Sequence, residues 1–166
     1  MSRRLARDGA ADVARLGKAL AAEHAAVYAY GLLGARTTGA LRSRVSAAFD
    51  AHRYRRDQLR SLLLARGGKA VETEASYDVP VTASATDAVN LAVRVEDGIT
   101  AAYLELAACE ELTLRRFAAS AMQEAVTRSY GLRRQIKALP GMPEQPVTPA
   151  PSTSPGLGTD PSTGTG

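Results

Sequence analysis

Glu23, His52, Glu96 and Glu124 are the four side chains of this 166-residue sequence that combine chemical capacity with a place inside apolar stripes. Residues three and four apart share one face of a helix, so a polar residue within such a stripe is aimed at the interior. Glu23 lies in the run Val13, Leu16, Leu20, Glu23, Val27, Tyr30, Gly34, and Glu96 in Val89, Val93, Glu96, Ile99, Tyr103, Leu106. Each carboxylate precedes a tyrosine by two turns. His52 belongs to Val45, Phe49, His52, Arg56, Leu59, Leu63, and Glu124 to Leu114, Phe117, Ala121, Glu124, Arg128. Three carboxylates and one imidazole suit a single divalent ion that prefers oxygen and nitrogen donors, such as iron, manganese or zinc. Tyr30, Arg56, Tyr103 and Arg128 would surround it. A second ion would lack ligands, because Phe49 stands where a Glu-x-x-His pair needs its glutamate and Thr127 where Glu124 needs its histidine.

Interior carboxylates must be compensated, since an unpaired buried charge is costly and otherwise takes up a proton. A metal is one compensator. The other is Arg56 with Arg128, one turn beyond His52 and Glu124, whose planar forks match carboxylates without any cofactor. An ion network of that kind fixes helix register more dependably than it adds stability. The residue types and spacings leave the single-metal centre and the metal-free network both open, and they identify no catalytic residue.

The elements that must position these groups follow from the same spacing. Residues 1 to 137 contain one proline, Pro80, and are dominated by Ala, Leu, Arg and Glu, which lose least on entering a helix. The spacing predicts an all-α domain over 11–139, after an N-terminal extension over 1–10. Four helices are expected, at about 11–35, 40–66, 87–108 and 111–137, with Thr86 as N-cap of the third and Gly67-Gly68 closing the second. The links are short, long and short. The 18 residues from 69 to 86 reach about 60 Å when extended, more than the ~39 Å length of a 26-residue helix. Two antiparallel hairpins joined by one crossover, the ferritin-like four-helix bundle, are therefore the expected architecture. Counted from the turns, the four site residues fall at one depth. An offset of 73 maps Glu23 to Glu96 and Tyr30 to Tyr103, and an offset of 72 maps His52 to Glu124 and Arg56 to Arg128. The chain thus carries a weak internal repeat of two hairpins.

The stretch Glu23-His24-Ala25-Ala26-Val27-Tyr28-Ala29-Tyr30-Gly31 resembles a family of bacterial ferritin-like domains of uncharacterised function. Ala51-His52-Arg53-Tyr54-Arg55-Arg56-Asp57 agrees with it, followed by Tyr77 with Pro80, Glu96-Asp97 with Ala102-Tyr103, and Leu139-Pro140-Gly141. The resemblance covers residues 12 to 144. It implies the same fold and places Glu23, His52, Arg56 and Glu96 at the family's characteristic positions.

Composition bounds the rest. With 45% apolar and 23% charged residues the chain is read as one domain. Seven of the eight prolines lie within 140–166, mixed with Gly, Ser and Thr, and that segment is expected to be a disordered tail. The longest apolar run, Ala25 to Ala35, has 11 residues, well short of the ~20 that span a bilayer, so no membrane partner is expected. One cysteine, Cys109, allows no intramolecular disulfide, and charges follow Arg3-Arg4 where an export signal needs an apolar stretch. A cytoplasmic location is the expectation. Helix 40–66 carries seven arginines, but they point in different directions and Asp50 and Asp57 interrupt them, which reads as a solvated face and not as a nucleic-acid surface. Glu110 and Glu111 beside Cys109 are expected to raise its pKa, and His24, about 100° round the helix from Glu23, is expected to pack outside the site. Bundles pair through outer helix faces, so a homo-oligomer is left open, and no sequence feature singles out a face. No phosphate-binding loop, hydrolase nucleophile motif or paired-cysteine zinc motif occurs.

Overall fold

A computed structural model describes residues 2–70, 72–74, 76–80 and 82–143, with the backbone alone for 2–8. The described residues form four helices and no strand: α1 (Ser2–Arg36), α2 (Gly39–Leu64), α3 (Ala85–Leu106) and α4 (Leu112–Arg133). None is long and apolar enough to cross a membrane. The expected tail lies outside the described residues from 144 onward, whereas 140–143 are described, with a turn closed by Met142 N–H to the Leu139 carbonyl at 3.2 Å.

The helix limits differ from the spacing-based ones for local reasons. Helix α1 starts at Ser2 and not near residue 11, because nothing in Arg3 to Ala10 breaks a helix except the tolerated Gly9. Helix α3 is capped by Ser84 and not by Thr86. The Ser84 hydroxyl accepts from Asp87 N–H at 3.1 Å and the Asp87 carboxylate accepts from Ser84 N–H at 3.0 Å, a complete capping box that also holds the Asp87 pKa below its ordinary value. Helix α4 stops at Arg133, since Arg134 turns left-handed at φ 59° and returns its N–H to the Tyr130 carbonyl.

Close packing joins α1 to α2, α3 to α4, and α1 to α3. Two residues, Thr37 and Thr38, connect α1 to α2, so these helices run in opposite directions. Helices α1 and α3 are also antiparallel: Tyr30 of α1 meets Glu96 of α3, while the earlier Glu23 meets the later Tyr103. Helices α2 and α3 are therefore parallel, and the link between them must return the full length of the domain. It does so along α1. A Cβ on Gly68 would touch Val13, Thr73 Oγ1 lies 3.0 Å from His24 Nδ1, the Tyr77 and Tyr28 rings are 5.3 Å apart, and Thr82 accepts from Arg36. From Val13 to Arg36 the helix rises ~35 Å, within the ~46 Å that residues 68 to 82 can span.

The core is divided in two. One apolar cluster contains Leu16, Leu20, Leu59, Leu63, Ile99, Tyr103, Leu106 and Leu114, drawn from all four helices. The other contains Tyr30, Leu33, Val45, Ala48, Ala88 and Leu91. Between them lie the buried polar side chains of Glu23, His52 and Glu96, so each tyrosine reaches the polar level from a different apolar cluster.

The end of α2 is where the crossover starts. Gly67 takes φ +72°, and Gly68 returns its N–H to the Leu63 carbonyl at 3.0 Å. A Cβ at position 68 would lie 2.6 Å from Cδ1 of Leu63, a core residue that is 1% exposed. Gly67→Ala should lower stability by about 1 kcal/mol through left-handed strain, and Gly68→Ala by about 2 kcal/mol through overpacking. Urea midpoints will measure both; a Gly68→Ala variant as stable as the parent would mean that the strap does not pack on Leu63.

Candidate functional site

Glu23, His52 and Glu96 meet at the centre of the domain with side chains 0 to 1% exposed. His52 bridges the two carboxylates: Nδ1 lies 2.7 Å from Glu23 Oε2 and Nε2 lies 3.1 Å from Glu96 Oε1. The tyrosines cross over between helices. Tyr103 donates to Glu23 Oε1 at 2.8 Å and Tyr30 donates to Glu96 Oε1 at 2.7 Å, so each serves the carboxylate of the other helix. Two turns along one helix are about 11 Å, too far for a tyrosine to serve its own helix's glutamate, and the antiparallel register supplies the partner. The Tyr30 ring also stacks on His52 at 5.0 Å.

Arg128 completes the set, donating from Nε to Glu96 Oε1 at 3.0 Å. Glu96 Oε1 thus accepts from three donors, whereas its Oε2 is buried without a hydrogen-bond partner among the described residues.

Two of the expected site residues are placed elsewhere. Arg56 turns outward to Asp57, with Nη2 2.8 Å from Oδ1. The inward arginine of α2 is Arg55, whose side chain is 11% exposed, which covers the Phe117 ring at 5.1 Å and bonds Glu124 through Nε at 3.2 Å and through Nη2. Glu124 does not join Glu23, His52 and Glu96: it is 42% exposed and lies 4.0 Å from Arg128 Nη1. The reason is the rotation of α4, whose buried residues are Leu114, Ala118, Ala121 and Ala125, so that Phe117 and Glu124 sit on its flank toward α2. In a helix so rich in alanine, periodicity alone does not separate these two faces. Outside the centre, His24 is 9% exposed and bonds Thr73. Cys109 is buried, and burial followed by Asp12, more than the neighbouring glutamates, pushes its thiol up to about 12.

Electrostatics define what the centre can do. Burial opposes a charged His52, but hydrogen bonds and charges from Glu23 and Glu96 outweigh it and raise its pKa above the ordinary value. Both ring nitrogens face carboxylate oxygens, which only the imidazolium satisfies by donating twice. Burial also works against a charged Glu96, yet His52 and Arg128 hold its pKa below the ordinary value. Arg128 is raised by Glu96 against its own burial. Burial first, and the adjacent glutamates second, lift Tyr30 and Tyr103 well above the phenol range, so both remain neutral donors. Two carboxylates, one imidazolium and one guanidinium sum to zero charge.

As a metal site the donors are poorly disposed. A ligating histidine offers a lone pair to the ion and donates from its other nitrogen, whereas both nitrogens of His52 are engaged by carboxylates and Arg128 occupies Glu96. Among the described residues no group of three His, Cys, Asp or Glu side chains is arranged to hold a metal ion.

The pKa directions set a pH window. The His52 contribution to stability is complete below about 6.5, its ordinary value, and is lost as pH rises through the higher folded value. The Glu96 contribution is complete above about 4.5 and is lost as pH falls through the lower folded value. Urea midpoints should therefore be highest between about pH 4.5 and 6.5, and His52→Gln should abolish the decline on the alkaline side; an unchanged alkaline slope would mean that His52 folds neutral. Arg128→Ala should cost about 3 kcal/mol by leaving two buried carboxylates with His52 as their one cation, and Arg56→Ala less than about 0.5 kcal/mol.

Residues 15–144 match the family model described as Domain of unknown function (DUF4439). A comparison with curated proteins gives no match. Among solved structures, the crystal structure of a conserved hypothetical protein, rv2844, from Mycobacterium tuberculosis is 37% identical, with 76% of this chain and 97% of that chain covered and a TM-score of 0.72. The chain belongs to the DUF4439 family.

Proposed function

We propose that this protein is a ferritin-like four-helix bundle that works as a metal-free helical scaffold and not as an oxidase or an iron store. The pairing of two antiparallel hairpins through a link laid along α1 supports the ferritin-like reading. The observation that carries the scaffold reading is His52, clasped through both nitrogens by Glu23 and Glu96. With Arg128 on Glu96, the interior acids are neutralised by the protein's own cations. Cys109, buried and protonated, suits a reducing cytoplasm.

One observation favours a second reading, a single divalent ion such as iron or manganese held by Glu23, His52 and Glu96: the buried, unpartnered Oε2 of Glu96. That ion would have to displace Arg128 from Glu96 and a proton from His52, which weighs against it.

Elemental analysis of the purified protein, before and after incubation with iron, manganese or zinc, separates the two. The scaffold reading expects substoichiometric metal and no shift in melting temperature on incubation. Stoichiometric metal that disappears in both Glu23→Ala and His52→Ala would replace it with the metal reading.

A further inference from the structure

We propose that the cleft between α2 and α4 binds a small amphiphilic monoanion, a carboxylate carried on a short hydrocarbon chain. The cleft measures about 290 Å³ and is chiefly apolar, walled by Val45 and Ala48 of α2 and Leu132 of α4, with Tyr30 beneath. At ~30 Å³ per water-sized unit this is room for about ten non-hydrogen atoms.

Two cations stand in this apolar setting, Arg44 and Arg128. Arg128 gives its Nε hydrogen to Glu96, while its Nη1 stands 4.0 Å from Glu124, beyond hydrogen-bond reach. Arg44 bonds the Gly131 carbonyl from Nη1 at 3.0 Å, and among the described residues it forms no ion pair. Charge accounting identifies the guest. Arg128 and His52 balance Glu96 and Glu23, Arg55 balances Glu124, and Arg44 is left as one uncompensated cation at the mouth of the cleft. A guest of one negative charge matches it, and the guanidinium fork is built to receive a carboxylate through paired hydrogen bonds. The hydrocarbon chain would lie between Val45 and Leu132, leaving the head to Arg44 and to Nη2 of Arg128.

Octanoate, octanol and acetate, titrated into the full chain by calorimetry, test the proposal. Octanoate should bind once per chain, with octanol at least about tenfold weaker, the worth of one charge-assisted hydrogen bond, and acetate at least about tenfold weaker for want of the buried hydrocarbon chain. Positions 44 and 47 are exposed, so Arg44→Ala and Ala47→Phe should keep the fold, which circular dichroism checks. Arg44→Ala should weaken octanoate about tenfold and leave octanol unchanged, and Ala47→Phe should abolish binding by filling the mouth. Octanoate should also shift the Arg128 Nε–H resonance in the nitrogen-correlated NMR spectrum. Absence of binding, equal affinity for octanol and octanoate, or affinity unaffected by either substitution would overturn the assignment.

Discussion

The fold turns on neutrality at one level of a dry core. Glu23 and Glu96 face each other from α1 and α3, each with its carboxylate out of reach of water, and two such charges cannot coexist there unaided. His52 lies between them and donates a hydrogen bond to each, and Arg128 supplies the second positive charge. Because the pairs Glu23–Tyr103 and Tyr30–Glu96 occupy one antiparallel register, sliding α1 against α3 by a single turn would break both tyrosine bonds and separate the histidine from its carboxylates. Leucines and alanines above and below this level would tolerate such a slide far better. The polar level therefore specifies the register, and the two apolar clusters supply the burial that stabilises it.

Much of this was legible in the residues. The stripes on the first three helices identified Glu23, His52 and Glu96 as interior, and depth counted from the turns brought them to one level, where the structure has them. The tyrosines were found by the same stripes, although their exchange between helices needed the antiparallel register of α1 and α3. What failed failed for physical reasons. Arg55 and Arg56 are consecutive and both border the His52 face, and a long side chain reaches either way, so the spacing chose the one that pairs with Asp57. The α4 stripe shares Leu114 and Ala121 with the buried face but runs through the larger Phe117 and Glu124 where Ala118 and Ala125 are buried. Small residues pack close helices with little periodic signal to mark them. Thr86 lies nearer the first apolar position of α3, but Asp87 completes a capping box only with Ser84, three residues before it.

The internal repeat explains why the centre is lopsided. Its first half is kept: Glu23 with Tyr30 and Glu96 with Tyr103 are related positions on α1 and α3 that bond across to each other. The second half is not, for α2 contributes His52 to the centre while α4, rotated to bury alanines, carries Glu124 on its flank. A second acidic helix facing inward would have added a third negative charge to a site that has two cations. Rotation of α4 removes that charge to half-exposed positions beside Arg55, and Arg128 then enters from the flank instead of from the axis.

That entry has a consequence for the shape of the molecule. Helices α1 and α3 each pack closely on their neighbours, but α2 and α4 face each other through long arginine side chains: Arg55 to Glu124, and Arg44 to the Gly131 carbonyl. Such spans hold two helices at arm's length, where alanine would draw them together. The cleft over Tyr30 and Arg128 is the space so left, and it opens the side of the ion network that carries the cation to the solvent. Glu96 is consequently the one carboxylate of the pair whose charge balance depends on a residue that solvent and solutes can reach. Glu23, held between His52 and Tyr103, has no such exposed partner.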